Sequence, residues 1–139
     1  MKTTRIAATA LAATVLAGVT AACTTPNTDS STVVEVDGKK LDGAEFQNAG
    51  CARAGNTLTI GSGSVQELKG VAATIEDGNP PTVTALGIMV DGSPLTVTNA
   101  LGVKLGSATV TRAGNRYTIS GTGQGITGSK SFRIEITCG

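Results

Sequence analysis

Three cysteines are the residues of this chain best suited to covalent chemistry. Cys23 stands directly behind the small residues Ala21 and Ala22, at the end of a long apolar run. Small side chains ahead of a cleavage point let a chain enter a peptidase site, and a thiol directly after that point can take a diacylglyceryl group. Cys51 and Cys138 form no C-x-x-C pair, so thiol–disulfide catalysis, which favours close pairs with a depressed pKa, has no motif here. Other chemistry lacks its parts. The chain has no His, which removes the usual base for a Ser nucleophile and the commonest metal ligand. Gly61-Ser62-Gly63 and Gly121-Thr122-Gly123-Gln124-Gly125 are glycine-rich. A phosphate loop, however, runs from a strand into a helix N-terminus with a Lys and a Ser/Thr in place, and Gly125-Ile126-Thr127-Gly128-Ser129-Lys130 runs into a strand. Glu76-Asp77-Gly78-Asn79 lacks the spaced oxygen ligands of a calcium loop. The carboxylates Glu76/Asp77 and Glu35/Asp37 sit beside turns and read as solvated, so nothing selects a hydrolytic pair. The sequence therefore predicts no catalytic residue, no cofactor and no metal.

Composition points the same way. A chain of 139 residues is one domain's worth. Eleven Lys and Arg against ten Asp and Glu leave no basic footprint for nucleic acid. Two Phe, one Tyr and no Trp offer little to stack on bases.

The N-terminal quarter is an export signal in composition. Lys2 and Arg5 are the only charges before Asp29, and Ile6 through Ala22 is uncharged. That is a positive region followed by an apolar one. The competing reading is a permanent membrane helix, but the run is at the low limit of the roughly 17–25 residues that span, and Ala and Thr dilute it. Val19-Thr20-Ala21-Ala22-Cys23 is similar to the lipobox of bacterial lipoproteins, with Thr20 where Leu is usual. The alternative is an ordinary signal peptide ending at A-x-A, with Cys23 incidental. The sequence thus predicts a cleaved signal over 1–22, lipidation at Cys23, and a tether over 23–32. Two or more acyl chains on one Cys attach a protein stably to the outer side of the cell membrane, where one would be marginal. Thr24 through Thr32 has no large apolar side chain to place in a core. It reads as a tether of at most about 30 Å, either plainly solvated or carrying O-linked sugars.

With Cys23 used for lipid, an even pair remains. An exported chain folds in an oxidising compartment, so Cys51 and Cys138 are predicted to bridge. The closed loop of 87 residues (138 − 51) is worth up to about 4.6 kcal/mol in the chain-entropy account.

The elements that must carry these residues are strands. Phe132, Ile134, Ile136 and Cys138 alternate with Arg133, Glu135 and Thr137. Tyr117 and Ile119, Leu58 and Ile60, and Val71, Ala73 and Ile75 alternate with polar or small neighbours in the same way. Period two with Thr, Val and Ile enrichment predicts half-buried antiparallel strands. Asp37-Gly38 and Asp91-Gly92 supply hairpin turns, as does Gly114-Asn115. Asp77-Gly78-Asn79-Pro80-Pro81 breaks the sheet. In Thr82–Val90 the parity changes: Val83 and Ala85 read as facing one way and Leu86, Ile88 and Val90 the other, with Gly87 the expected bulge unless both faces are covered. Helix candidates are limited to a turn or two at Leu41–Asn48 and Val65–Lys69. Arg53-Ala54-Gly55-Asn56 is echoed by Arg112-Ala113-Gly114-Asn115, each leading into a strand. Either a hairpin unit is duplicated or the same turn chemistry is used twice. The expected fold is mostly β: one small antiparallel domain over 33–139, sandwich-like or a strongly curved sheet, with at most one or two short helices and one disulfide. The apolar run Leu86–Leu105 of an exported domain also raises a second function, binding of envelope lipid or glycolipid, although so short a chain leaves little room for a pocket beside its own core.

Several of these stretches together resemble the mycobacterial LpqH-like lipoprotein antigens, the 19-kilodalton antigen family. They are Cys23 after a signal, Val36-Asp37-Gly38, Cys51, Asp77-Gly78-Asn79-Pro80-Pro81-Thr82-Val83, Gly114–Thr122, and Lys130-Ser131-Phe132-Arg133-Ile134-Glu135-Ile136-Thr137-Cys138. The resemblance spans about Val33–Gly139. It implies an acylated, envelope-anchored surface antigen with no enzymatic activity, whose acylated N-terminus is sensed by host Toll-like receptor 2. The tether here is shorter than in the better-known members, some of which are glycosylated near that end.

Overall fold

A computed structural model describes residues 31–64 and 68–139. Cys23 and the expected signal and tether up to residue 30 lie outside the described residues. So do Val65, Gln66 and Glu67 of the second helix candidate; Leu68 is a turn residue and Lys69 opens a strand.

The alternating segments form strands in one antiparallel sheet. In chain order these are β1 (Ser31–Val36), β2 (Lys39–Lys40), α1 (Ala44–Gln47), β3 (Gly50–Ala54), β4 (Thr57–Ser64), β5 (Lys69–Glu76) and β6 (Thr82–Val90). They continue with β7 (Ser93–Ala100), β8 (Val103–Leu105), β9 (Ser107–Ala113), β10 (Arg116–Gly125) and β11 (Gly128–Thr137). The sheet order is β2-β1-β11-β10-β7-β6-β5-β4-β3, with β8 added to β7 and β9 to β10. Of the two expected architectures, the curved single sheet is the one formed: it curls into half a barrel. β1 begins at Ser31, so Ser31 and Thr32, expected in the tether, are strand residues paired with Thr137 and Ile136.

The Asp-Gly turns sit where the sequence puts them. Asp37 and Gly38 have φ of 51° and 76°, and Asp91 and Gly92 have φ of 48° and 79°, the positive values that match the twist of the flanking strands. Asn79-Pro80 is a cis peptide bond in the β5–β6 break.

One face of the sheet holds the core. Phe132, Ile134, Ile136, Tyr117, Ile119, Leu58, Ile60, Val71, Ala73 and Ile75 are all buried there, on the parity expected. The helix α1 packs against β1, β4 and β5, burying Phe46. Its position is pinned by the Ser62 hydroxyl, which donates to the Glu45 carbonyl.

The parity of β6 differs from expectation. Val83, Leu86 and Ile88 are all buried, while Ala85 is exposed. Register shows why: Thr74 faces Ala85 and Ile75 faces Val83, leaving Thr84 as the extra residue. The bulge is at Thr84, not Gly87. The Thr84 hydroxyl donates to the Thr74 carbonyl at 3.2 Å, so the side chain takes over a carbonyl at the interrupted ladder.

The R-A-G-N echo extends beyond a hairpin. Arg53 faces Leu58 across β3–β4, and Arg112 faces Tyr117 across β9–β10. Leu58 then faces Ile75, and Tyr117 faces Ile136. Asp77 donates its backbone N–H to the Asn56 carbonyl, and Cys138 does the same to the Asn115 carbonyl. Two three-stranded meanders, β3-β4-β5 and β9-β10-β11, thus share one register, in which Asp77 and Cys138 are equivalent positions.

Candidate functional site

The two meanders close onto each other at one end of the sheet. Cys51 of β3, the edge strand, is disulfide-bonded to Cys138, just past β11, with the Cα atoms 5.7 Å apart. The bridge ties one border of the curled sheet to the strand next to β1 on the other side. Beside it the two echoed arginines meet. Arg53 donates to the Asp77 carboxylate and, through Nη2, to Tyr117 Oη at 2.7 Å. Arg112 reaches the same carboxylate at 3.7 Å, and its guanidinium lies 5.5 Å from the centre of the Tyr117 ring. Asp77 is only 17% exposed.

Geometry decides the chemistry of this cluster. A carboxylate held between two guanidiniums is already neutralised and faces positive charge, which is the wrong surrounding for the cation considered for Glu76–Asn79. The arrangement is a polar clasp: a charge-assisted hydrogen bond from Arg53 fixes the β5–β6 break against β3, the ion pair with Arg112 draws it toward β9, and Arg112 over the Tyr117 face adds a cation–π contact. Asp77, expected to be solvated, is the residue that sequence reading missed. Its signal was the paired R-A-G-N turns, whose arginines needed a shared partner.

A second cluster lies on the exposed face of β10 and β11. Arg133 donates to Glu135, and Arg116 Nη2 donates to Glu135 Oε2 at 3.0 Å. Those hydrogen bonds, Arg133 first, hold the Glu135 carboxyl below the usual carboxylate range, and they raise Arg133 above the usual guanidinium value. Among the described residues no three His, Cys, Asp or Glu side chains gather as metal ligands.

The sheet face opposite the core carries an open apolar groove of about 510 Å³. Its floor is small because Gly63 faces Gly70, Ala72 faces Gly87, and Gly87 faces Thr96 across the strands. Leu68, Met89 and Pro94 form its walls.

With this architecture in view, comparison with known proteins is decisive. Residues 25–138 match the family described as the Mycobacterium 19 kDa lipoprotein antigen. The chain belongs to that family. Among its relatives is a lipoprotein of Mycobacteroides abscessus, 34% identical over 118 residues, covering 79% of this chain and 77% of that protein. Lipoprotein LpqH of Mycobacterium avium is 35% identical over 117 residues, covering 78% and 69%. Lipoprotein LpqH of Mycobacterium tuberculosis is 35% identical over 121 residues, covering 81% and 72%. In this member of the 19 kDa antigen family, the Asp77–Pro81 stretch supplies the carboxylate of the clasp. The terminal Phe132–Cys138 stretch supplies the buried Phe132, Ile134 and Ile136 of β11 and one half of the disulfide.

Proposed function

We propose that this protein is a non-catalytic lipoprotein of the mycobacterial envelope. After removal of residues 1–22 it is anchored on the outer side of the membrane by acyl chains on Cys23. Host Toll-like receptor 2 recognises that acylated end. The observation that carries the reading is Ala21-Ala22-Cys23 at the junction between an apolar signal and a domain whose relatives are named lipoproteins. The domain then serves as a rigid, disulfide-closed body presented by the anchor. Its polar clusters support a structural use, since the arginines and carboxylates at the disulfide end satisfy one another. Mass spectrometry of the native protein tests the anchor: the expected N-terminus is a lipidated Cys23, and an unmodified or differently placed N-terminus overturns it. Cys23→Ala is expected to move the protein from the membrane fraction to the soluble one and to abolish signalling in receptor 2 reporter cells.

A second reading has one observation in its favour. The apolar groove between Leu68, Met89 and Pro94 is of the size that holds part of an acyl chain, which supports carriage of an envelope lipid or glycolipid. It is an open trough on the outer face, the inner face being filled by core side chains. Organic extraction of the purified protein is the check: a stoichiometric lipid supports the reading, and a clean extract removes it.

A further inference from the structure

We infer that the β7–β8 hairpin is a second membrane contact, resting its apolar tip in the surface of the lipid bilayer to which Cys23 is anchored. The inference builds on the lipid-anchor reading. Five large apolar side chains are exposed among the described residues, and three of them fall within five consecutive positions: Leu101 at 101%, Val103 at 54% and Leu105 at 41%. Leu101 is a turn residue with φ 55°, followed by Gly102 at φ 76°, so the backbone turns sharply and presents Leu101 outward. Val103 and Leu105 share a parity on β8, a three-residue strand paired only to β7.

Topology places this tip on the correct side. Thr98 faces Ala85, Thr82 faces Glu76, and Glu76 faces Thr57, so β7 runs toward the end that holds the β3–β4 turn and the Asp77 break. On the other side, Ser31 faces Thr137, and Thr137 faces Arg116, so β1 starts at that same end. From Cys23 to Ser31 is eight residue steps, at most ~29 Å of extended chain. The anchored end of the domain is therefore held within reach of the headgroups, and the Leu101 tip is at that end. Ile126, exposed at 79%, lies in the β10–β11 turn at the opposite end. Charge agrees. Arg53, Arg112 and Arg116 are paired with Asp77 or Glu135, whereas Lys104 at the tip is exposed and forms none of the ion pairs seen among the described residues. An unpaired Lys flanked by Val103 and Leu105 suits an interface with anionic headgroups above and acyl chains below.

The native chain has no Trp, so one introduced Trp reports position without background. The acylated mature chain, Cys23 to Gly139, carrying Leu101→Trp is reconstituted on vesicles of phosphatidylglycerol and brominated phosphatidylcholine, with Ile126→Trp as the matched control. The expected result is that both co-sediment with vesicles, Leu101→Trp emission shifts to the blue and is largely quenched by bromine, and Ile126→Trp emission does neither. Adding Val103→Asp to Leu101→Trp is expected to reverse most of that quenching while leaving co-sedimentation intact. Co-sedimentation with equal, weak quenching at both positions overturns this inference and leaves the anchor reading standing. Equal, strong quenching at both overturns it too, because it reflects the affinity of Trp itself for interfaces. Failure to co-sediment removes the anchor reading, and this one with it.

Discussion

At Thr32 a hydroxyl is buried in β1 with no hydrogen-bond partner among the described residues. Desolvating such a group is unfavourable, and Val has almost the same shape, so Thr32→Val is expected to raise stability by about 1 kcal/mol, read as a higher urea midpoint at unchanged slope. Asp77 gives the opposite case. Asp77→Ala leaves two guanidiniums facing each other and releases the β5–β6 break; a loss of about 1–2 kcal/mol is expected, and Tyr117→Phe should cost less than Asp77→Ala because it removes one hydrogen bond. At Glu135 the effect is tied to pH. Its carboxyl is depressed in the folded state, so its contribution is present above the unfolded carboxylate range near ~4.3 and is lost as pH falls through the folded value. The stability difference between the native chain and Glu135→Gln is therefore expected to shrink once pH falls below that range and to vanish below the folded value. It should also shrink with added salt, since the group is partly open to solvent. Single residues were unevenly legible. The Cys51–Cys138 pair followed from counting, because a covalent partner can be found by elimination. The role of Asp77 did not, because it depends on a curl that brings together two turns far apart in the chain. Thr32 was read as tether because polar residues before a strand look the same whether or not the ladder extends over them.

Elements were easier to read than their borders. Period-two patterning located the long strands, and Asp-Gly located the tight turns, because both depend on neighbours in sequence. The bulge in β6 was displaced from Gly87 to Thr84 because its position is set by the partner strand, where the buried Ile75 and Ala73 face Val83 and Leu86 and bring both into the core. The close pairing of β4 with β5 is a property of the pair as well. Gly63 and Gly70 have φ of 144° and 157°, and a Cβ on Gly70 would come within 2.8 Å of the Gly63 Cα. Gly70→Ala is therefore expected to cost about 1–3 kcal/mol and to narrow the groove floor. Its check is a thermal melt alongside Ala72→Gly, which leaves the same strands unclashed.

For the whole molecule, the disulfide is the long-range constraint. It spans 87 residues and couples the two meanders, in a domain with few aromatics to build a core. Reduction, or Cys51→Ser with Cys138→Ser, is expected to lower stability by up to ~4.6 kcal/mol, a large part of the roughly 5–15 kcal/mol typical of a domain. The melting temperature with and without reductant measures it. The order of strands was beyond sequence reading, because antiparallel hairpins can be laid side by side in several ways that satisfy the same alternation. What selects this order is the single inward-facing apolar surface from Val34 to Ile136.

The pairing of Ser31 with Thr137, continued through Val36 with Phe132, also fixes how the domain bears a mechanical load. A tug between a grounded N-terminus and anything gripping the far turns runs along β1 rather than across it. The rungs joining β1 to β11 are then strained together instead of peeling one after another, which is the stronger way to load a ladder in a wall under drag.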